Sequence, residues 1–302
     1  MNRKRGLHRS FRTQSLADRI FDVVNYILLA LVAFGVLYPM YFIIVASFSD
    51  PVAINNGQVR FWPVGFNTLG YEKIFENTKI WRSYSNTIFY TVVGTGINIT
   101  LTLMLAYPLS RKNFSARKPL LLMVMFTMYF QGGMIPTYLW MNDLHLYNTP
   151  WVMVLLPAIN VFNLIIAMNF ISNNIPEELY EAASIDGCSH FTFFIRIVLP
   201  LSKTIIVVLL LYYGVAHWNE FMNGLIYLRD EGLYPLQLTL RNILLQNQAS
   251  GLGDVDSIIE QQKAAELIKY GVIIVSTLPV LVIYPFLQKH FEKGVMVGSV
   301  KG

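Results

Sequence analysis

The sequence predicts an all-α membrane protein: six transmembrane helices, with a helix–turn–helix on the cytoplasmic side between the fourth and fifth. Three observations carry this. The 302 residues are 54% hydrophobic and only 14% charged, with mean hydropathy +0.47, whereas a soluble domain carries about a quarter charged residues. Six apolar stretches recur along the chain, spaced by polar loops, and most approach the roughly 20 residues that cross a bilayer. Lysine and arginine crowd into every second loop.

Residues 1–19 form a basic tail with Arg3, Lys4, Arg5, Arg9, Arg12 and Arg19. The apolar run 23–48 that follows is longer than a signal-peptide core and has no convincing small-residue cleavage site, so it reads as an uncleaved first span. Anionic lipid and orientation explain the basic tail more simply than nucleic acid does. Asp50-Pro51 ends the span, and residues 50–83 suit an ordered external loop with a short amphipathic helix over 71–81. Span two covers 84–109. A tight basic loop follows, then span three over 119–140, interrupted at Gln131-Gly132-Gly133-Met134-Ile135-Pro136. Span four is 151–171, span five 205–228 and span six 268–287, with a polar loop at 229–267. The expected domains are the tail 1–19, a membrane domain 20–288 containing the loop 174–200, and a C-terminal tail 289–302.

An even number of spans puts both termini on one side. That side holds fifteen of the 23 lysines and arginines: the N-terminal tail, Arg111, Lys112, Arg117 and Lys118, Arg196 and Lys203, and the C-terminal tail. The basic side is the cytoplasmic one, so both termini and the 174–200 loop face the cytoplasm.

That loop is too rich in helix formers to be slack. Pro176 fits the first turn of a helix. Glu177, Glu178 and Glu181 lie in its first two turns, where the helix dipole favours anions. Gly187 can take the left-handed conformation that ends a helix. Ser189 can cap a second helix running through Phe193 and Arg196 and stopping before Pro200. The result is either a knob that fits a groove on another protein or an ordinary interfacial hairpin.

Polar side chains inside spans need partners or water. Span five carries His217, Trp218, Asn219, Glu220 and Asn223, which suit either a substrate path with its external gate or a helix–helix hydrogen-bond network. Trp218 also suits an interfacial aromatic. In span four, Asn160, Asn163 and Asn169 share a face; packing between helices is the first reading and pore lining the second. Gln131 sits at the break in span three, where Gly132, Gly133 and Pro136 would free backbone groups for a cavity or simply kink the helix.

Other chemistry is excluded by what the sequence lacks. It has no Gly-x-x-x-x-Gly-Lys-[Ser/Thr] phosphate loop, no His-Glu-x-x-His or Cys-x-x-Cys metal pattern and no Gly-x-Ser-x-Gly elbow. Glu177 and Glu178 point apart on a helix and form no acid/base pair. Cys188, His190 and His217 give no metal set, and the single cysteine reads as a packing residue. No catalysis, resident cofactor or nucleic-acid partner is expected of this chain.

Glu181-Ala182-Ala183, three residues, Gly187, nine residues, then Ile197-x-Leu199-Pro200 resembles the EAA loop of ABC-importer permeases, with every fixed position at the family spacing. The resemblance extends from about residue 20 to the end and is nearest the carbohydrate type, the class of the maltose importer. Within it, the chain is similar to the second permease of importers for alginate- or pectin-type oligosaccharides. The supporting runs are Tyr38-Pro39, Ser47-Phe48-Ser49-Asp50-Pro51, Ala106-Tyr107-Pro108-Leu109-Ser110-Arg111, Gln131 to Thr137 and Trp218-Asn219-Glu220-Phe221.

The resemblance implies the type I importer permease fold in a bacterial cytoplasmic membrane. It also implies partners: a second homologous permease forming a heterodimer, two ATPase subunits that hold ATP and Mg, and an external solute-binding protein. The cargo would be an oligosaccharide, and lipid surrounds the whole. It places the ATPase contact on Glu178, Glu181, Ala182, Ala183, Asp186, Gly187, Ser189 and Pro200. It puts a second contact on the tail residues Val300, Lys301 and Gly302, which resemble the Gly-Val-Lys-Gly end of the maltose-type permease. The translocation-path candidates are Gln131, Asn160, Asn163, His217, Asn219, Glu220 and Asn223. The competing class is a self-contained secondary transporter, which would leave the 174–200 loop without a partner.

Overall fold

The computed structural model describes residues 15–249, 268–283 and 285, and among these no strand occurs. Helices occupy each of the six predicted apolar stretches, in order, but among the described residues only two stretches are single unbroken spans. These are α1 (Leu16–Ser47) and α4 (Thr78–Ser110), each long and apolar enough to cross a bilayer alone. At about 1.5 Å per residue, each exceeds the roughly 30 Å hydrocarbon thickness. α1 starts at Ser15, whose Oγ accepts from Asp18 N–H at 3.2 Å, and its apolar surface is exposed along most of its length, until Phe42 and Val45 pack against Ala53 and Val59.

Two short helices, α2 (Pro51–Asn55) and α3 (Leu69–Glu76), occupy the loop after α1, with Asp50 capping α2. The amphipathic helix thus begins and ends earlier than the predicted 71–81, because Asn77 takes a cap position and its Oδ1 accepts from Lys79 N–H and Ile80 N–H to start α4 instead.

α4 is the axis of the molecule. It packs against α7 (Pro150–Leu155), α8 (Val161–Asn174), α12 (Lys203–Trp218) and α14 (Leu236–Ala249). The cause is a stripe of small and short polar residues: Ser83, Thr87, Gly94, Asn98 and Thr102 are all buried, four to seven residues apart on one face. Small residues let helix backbones approach closely without water to drive them together. Near the N-terminal end of α4 the stripe is bonded directly, Ser83 to Thr239 through their hydroxyls at 2.7 Å and Leu236 N–H to Thr87 Oγ1 at 2.7 Å.

The other stretches depart from the continuous spans expected. Span three is two helices, α5 (Arg117–Tyr129) and α6 (Met134–Asp143), bent by 114° at the break. Gly133 turns the chain there at φ +90°, a conformation open to glycine, and Pro136 falls in the first turn of α6, where its missing N–H costs no helix bond. Span four divides into α7 and α8 at a cis Leu156–Pro157 peptide. Span five ends as α12 at Trp218 and resumes as α13 (Met222–Tyr227) after Asn219 and Glu220. α15 (Ile268–Ile283) is the described part of span six and is shorter than a full crossing. Both tails expected in the cytoplasm, apart from the residues near Arg19, lie outside the described residues, as do Val300, Lys301 and Gly302.

Candidate functional site

The 174–200 stretch folds as a short hairpin of helices. α9 spans Glu177–Ile185, and Pro176 is its N-cap rather than its first helical residue, with φ −61° and ψ 150°. Proline favours that extended backbone just as it favours the first turn, so Glu177 and Glu178 move into the leading positions where the dipole is strongest. The helix closes with a paired motif: Cys188 N–H donates to Ala183 O at 2.9 Å and Gly187 N–H to Ser184 O at 3.0 Å. Gly187 stands at φ +76°, and a Cβ there would meet nothing within 4 Å. The requirement for glycine is therefore one of backbone conformation, not of space.

Ser189 caps α10 (His190–Phe193), its Oγ accepting from Thr192 N–H at 3.2 Å. The second helix does not stop before Pro200. It widens into a π turn over Phe194–Val198, in which Leu199 N–H reaches Phe194 O five residues back. It then continues as α11 (Leu199–Leu201) with Pro200 in its first turn. Proline carries no N–H, and in the first turn of α11 that absence costs no helix bond, so Pro200 sits inside the element instead of ending it. The corner comes at Ser202, where the chain bends 79° into α12.

The hairpin has two faces. Tyr180, Ala183 and Cys188 turn inward onto the core around Ile171, Ile175, Phe193 and Phe194. Glu178, Glu181, Ala182, Ile185 and Asp186 turn outward, and Ile185 is 87% exposed. Ser189 and Pro200 are exposed at the two ends of the second helix. Of the Glu-Ala-Ala run, two side chains thus face solvent and the third anchors the helix.

Arg111, at the end of α4, secures that anchor. In the sequence it is only one of the positive charges that set orientation. In the structure it is buried, and its Nη2 lies 3.0 Å from Glu177 Oε1. Its guanidinium sits over the Tyr180 ring at 4.3 Å from the centroid. Tyr180 in turn stacks on His190 at 4.8 Å and bonds its Nε2 through the phenol oxygen at 2.8 Å. α9, α10 and α4 are thereby joined through one aromatic ring. A desolvated cation–π contact contributes about 2 kcal/mol, so Tyr180→Leu is expected to lower the melting temperature by several degrees, which calorimetry reads. No local pattern marks this set, because Arg111 and Tyr180 are far apart in sequence.

A second cluster lies midway along α4. A cavity of about 280 Å³ is lined by Asn98, Asn160, Asn163, Tyr213, His217 and Glu220, among others. Asn98 is its centre: Oδ1 lies 2.6 Å from His217 Nε2, while Nδ2 donates to Pro157 O and Ala158 O at 3.0 and 2.7 Å. The amide thus satisfies carbonyls freed by the α7–α8 break, as a backbone removed from water requires. Tyr213 connects Thr102 Oγ1 at 2.7 Å with Asn160 N–H at 3.0 Å. Glu220 Oε1 accepts from Asn223 N–H at 2.9 Å, and Asn223 Nδ2 donates to Leu156 O at 3.3 Å.

The candidates for the path therefore divide. Asn160, Asn163, His217 and Glu220 meet at the cavity, and Asn223 adjoins it. Asn219 bonds back to Val215 O of its own helix, and Gln131 is exposed at the α5–α6 break. Asn160 is the cap of α8 rather than part of a span, its Oδ1 accepting from Asn163 N–H at 3.2 Å, and Asn169 is exposed. Trp218 is buried and donates to Ser276 O of α15 at 3.0 Å, so it packs helices together. Asn98 was not among the sequence candidates, although its place in the small-residue stripe of α4 marks it.

Comparison with known proteins covers nearly the whole chain. A family profile described as "Binding-protein-dependent transport system inner membrane component" matches residues 6–297. Protein LplC of Bacillus subtilis (strain 168) is 41% identical over 95% of this chain and 96% of its own length. The polygalacturonan/rhamnogalacturonan transport system permease protein YtcP of the same organism is also 41% identical, over 95% of this chain and 100% of its own. Among solved structures, a chain of a bacterial ABC transporter involved in the import of the acidic polysaccharide alginate superposes with TM-score 0.85. It is 31% identical, with 92% of this chain and 99% of that chain covered.

Proposed function

Since the chain belongs to the family of inner-membrane components of binding-protein-dependent transport systems, and is a permease subunit of an ABC importer, we propose how it is energised and what it carries. It pairs with a second, homologous permease. Two ATPase subunits, which hold the ATP and Mg, dock on the cytoplasmic side, one of them on the outward face of α9. A solute-binding protein docks on the opposite side, against the loops that carry α2, α3 and α14. Both termini are cytoplasmic, and the tail residues Val300, Lys301 and Gly302 reach the ATPase. The cargo is an oligosaccharide, for which the amide, hydroxyl and aromatic lining of the Asn98 cavity supplies suitable partners.

The observation that carries this reading is the division of the hairpin. Its inner face is fixed to α4 through Arg111 and Tyr180, and its outer face, with Glu181 and Ile185, is exposed and unpartnered among the described residues. A rigid element held at one side transmits a displacement applied at the other, provided the neighbour has two positions. A carboxylate at position 181 suits a basic groove on that neighbour.

Glu181→Lys tests it. Glu181 is exposed, so the substitution leaves folding and membrane levels unchanged. Uptake and solute-stimulated ATP hydrolysis are both expected to fall by tenfold or more in proteoliposomes, since a reversed charge at a contact costs several kcal/mol. Parental coupling in the variant would exclude this surface as the ATPase contact. A self-contained transporter would also import without any co-purifying ATPase.

A further inference from the structure

We propose that the groove beside the coupling hairpin holds an anionic phospholipid of the inner leaflet, with its headgroup on Arg111 and an acyl chain along α4. The groove has a volume of about 680 Å³ and opens between the last turns of α4 and helix α10. Its lining changes character along its length. Arg111 and Asn113 stand at the end where α4 leaves the membrane, with Glu177, Tyr180 and His190 beside Arg111. Met104, Pro108, Phe191 and Phe194 line the rest. Met104 lies seven residues before Arg111, or about 10 Å deeper along the helix. This is the polarity profile of a phospholipid lying against a span.

The headgroup end is cationic and unsatisfied. The Arg111 side chain is 9% exposed, and its Nη2 has no hydrogen-bond partner among the described residues. Glu177 is close enough to pair with it electrostatically but is not aligned to accept a hydrogen bond. A phosphodiester supplies acceptor oxygens in the geometry a guanidinium prefers. Lys112, Arg117 and Lys118 in the same loop outweigh the single carboxylate, and basic pockets at the cytoplasmic level select anionic headgroups. The same charge disfavours this chain's own N-terminal residues 1–14, which carry five cations and no carboxylate.

The site rests on the cytoplasmic placement proposed above, but nanodiscs with the same lipids in both leaflets test it without assuming an orientation. The assembled importer is reconstituted in phosphatidylcholine with increasing phosphatidylglycerol, and retained lipid is measured by native mass spectrometry after delipidation. The parent is expected to retain phosphatidylglycerol over phosphatidylcholine by about fivefold or more, the preference that roughly 1 kcal/mol per basic residue confers. Arg111→Gln removes that preference. Met104→Trp, which fills the apolar end and leaves Arg111 intact, lowers retention of both lipids. Equal retention of the two lipids by the parent would overturn the proposal, as would parental retention in Met104→Trp. So would lipid held by the isolated chain but lost on assembly, since the groove would then belong to a protein partner.

Discussion

Gly187→Val is expected to abolish import while leaving the protein in the membrane at parental levels. Gly187 occupies φ +76°, where a β-branched residue is held at a cost of about 1–3 kcal/mol. That cost falls on the two hydrogen bonds that close α9, those from Gly187 N–H and Cys188 N–H. Shifting the residue to negative φ relieves the strain but swings α9 away from α10. The outward side chains Glu181 and Ile185 then no longer present one surface. Gly187→Asn is expected to retain more activity, because asparagine tolerates the left-handed region better than valine does. Uptake normalised to immunoblotted membrane protein gives the order Gly, Asn, Val. Equal uptake in all three would remove the turn from the coupling mechanism.

Gly94→Leu is the second large effect, and it acts on folding. A Cβ built on Gly94 would lie 2.6 Å from both Cε1 and Nε2 of His217. The imidazole would have to leave, breaking its 2.6 Å contact with Asn98 and the bridge to the Pro157 and Ala158 carbonyls. Overpacking costs about 1–3 kcal/mol, and each orphaned buried polar group adds roughly the same. A marked loss of purified yield and of melting temperature follows. Gly94→Ala is milder, and His217→Ser in the Gly94→Ala background restores part of the lost stability, because serine frees the space and keeps a polar group near Asn98. An unchanged melting temperature in Gly94→Leu would show that α4 and α12 do not pack closely at this point.

The hairpin was the most legible part of this molecule. Its cap and turn are local features, and Ser189 and Gly187 each do what residue chemistry within a few positions dictates, whereas the side of α9 that packs inward depends on Phe193 and Phe194 of the second helix. The apolar stretches were legible for the same reason, since length and hydropathy are properties of a segment. The breaks within them were less so. Gly132, Gly133 and Pro136 announced an interruption, but its 114° angle depends on what the two halves pack against. The division of span five after Trp218 had no proline or glycine at the break to announce it.

Long-range pairs were illegible. Arg111 reads as one more positive charge until Tyr180 is brought beneath it. Asn98 reads as an ordinary polar residue until α7 and α8 expose their carbonyls to it. The stripe of small residues from Ser83 to Thr102 was present in the sequence and identifies the packed face of α4. It is the signal through which the centre of the cavity could have been found.

The account depends on the outer face of α9 meeting an ATPase in the cytoplasm. The most direct measurement is site-specific cross-linking from Ile185→Cys, a position 87% exposed within the chain. The background is Cys188→Ser, which removes the sole native thiol. With a short bifunctional reagent, an adduct between this chain and a co-purifying ATPase subunit is predicted, its yield changing when nucleotide is added. The thiol should resist membrane-impermeant maleimide in intact cells. Labelling from outside the cell, or an assembled complex in which Ile185→Cys forms no adduct with the ATPase, would contradict it.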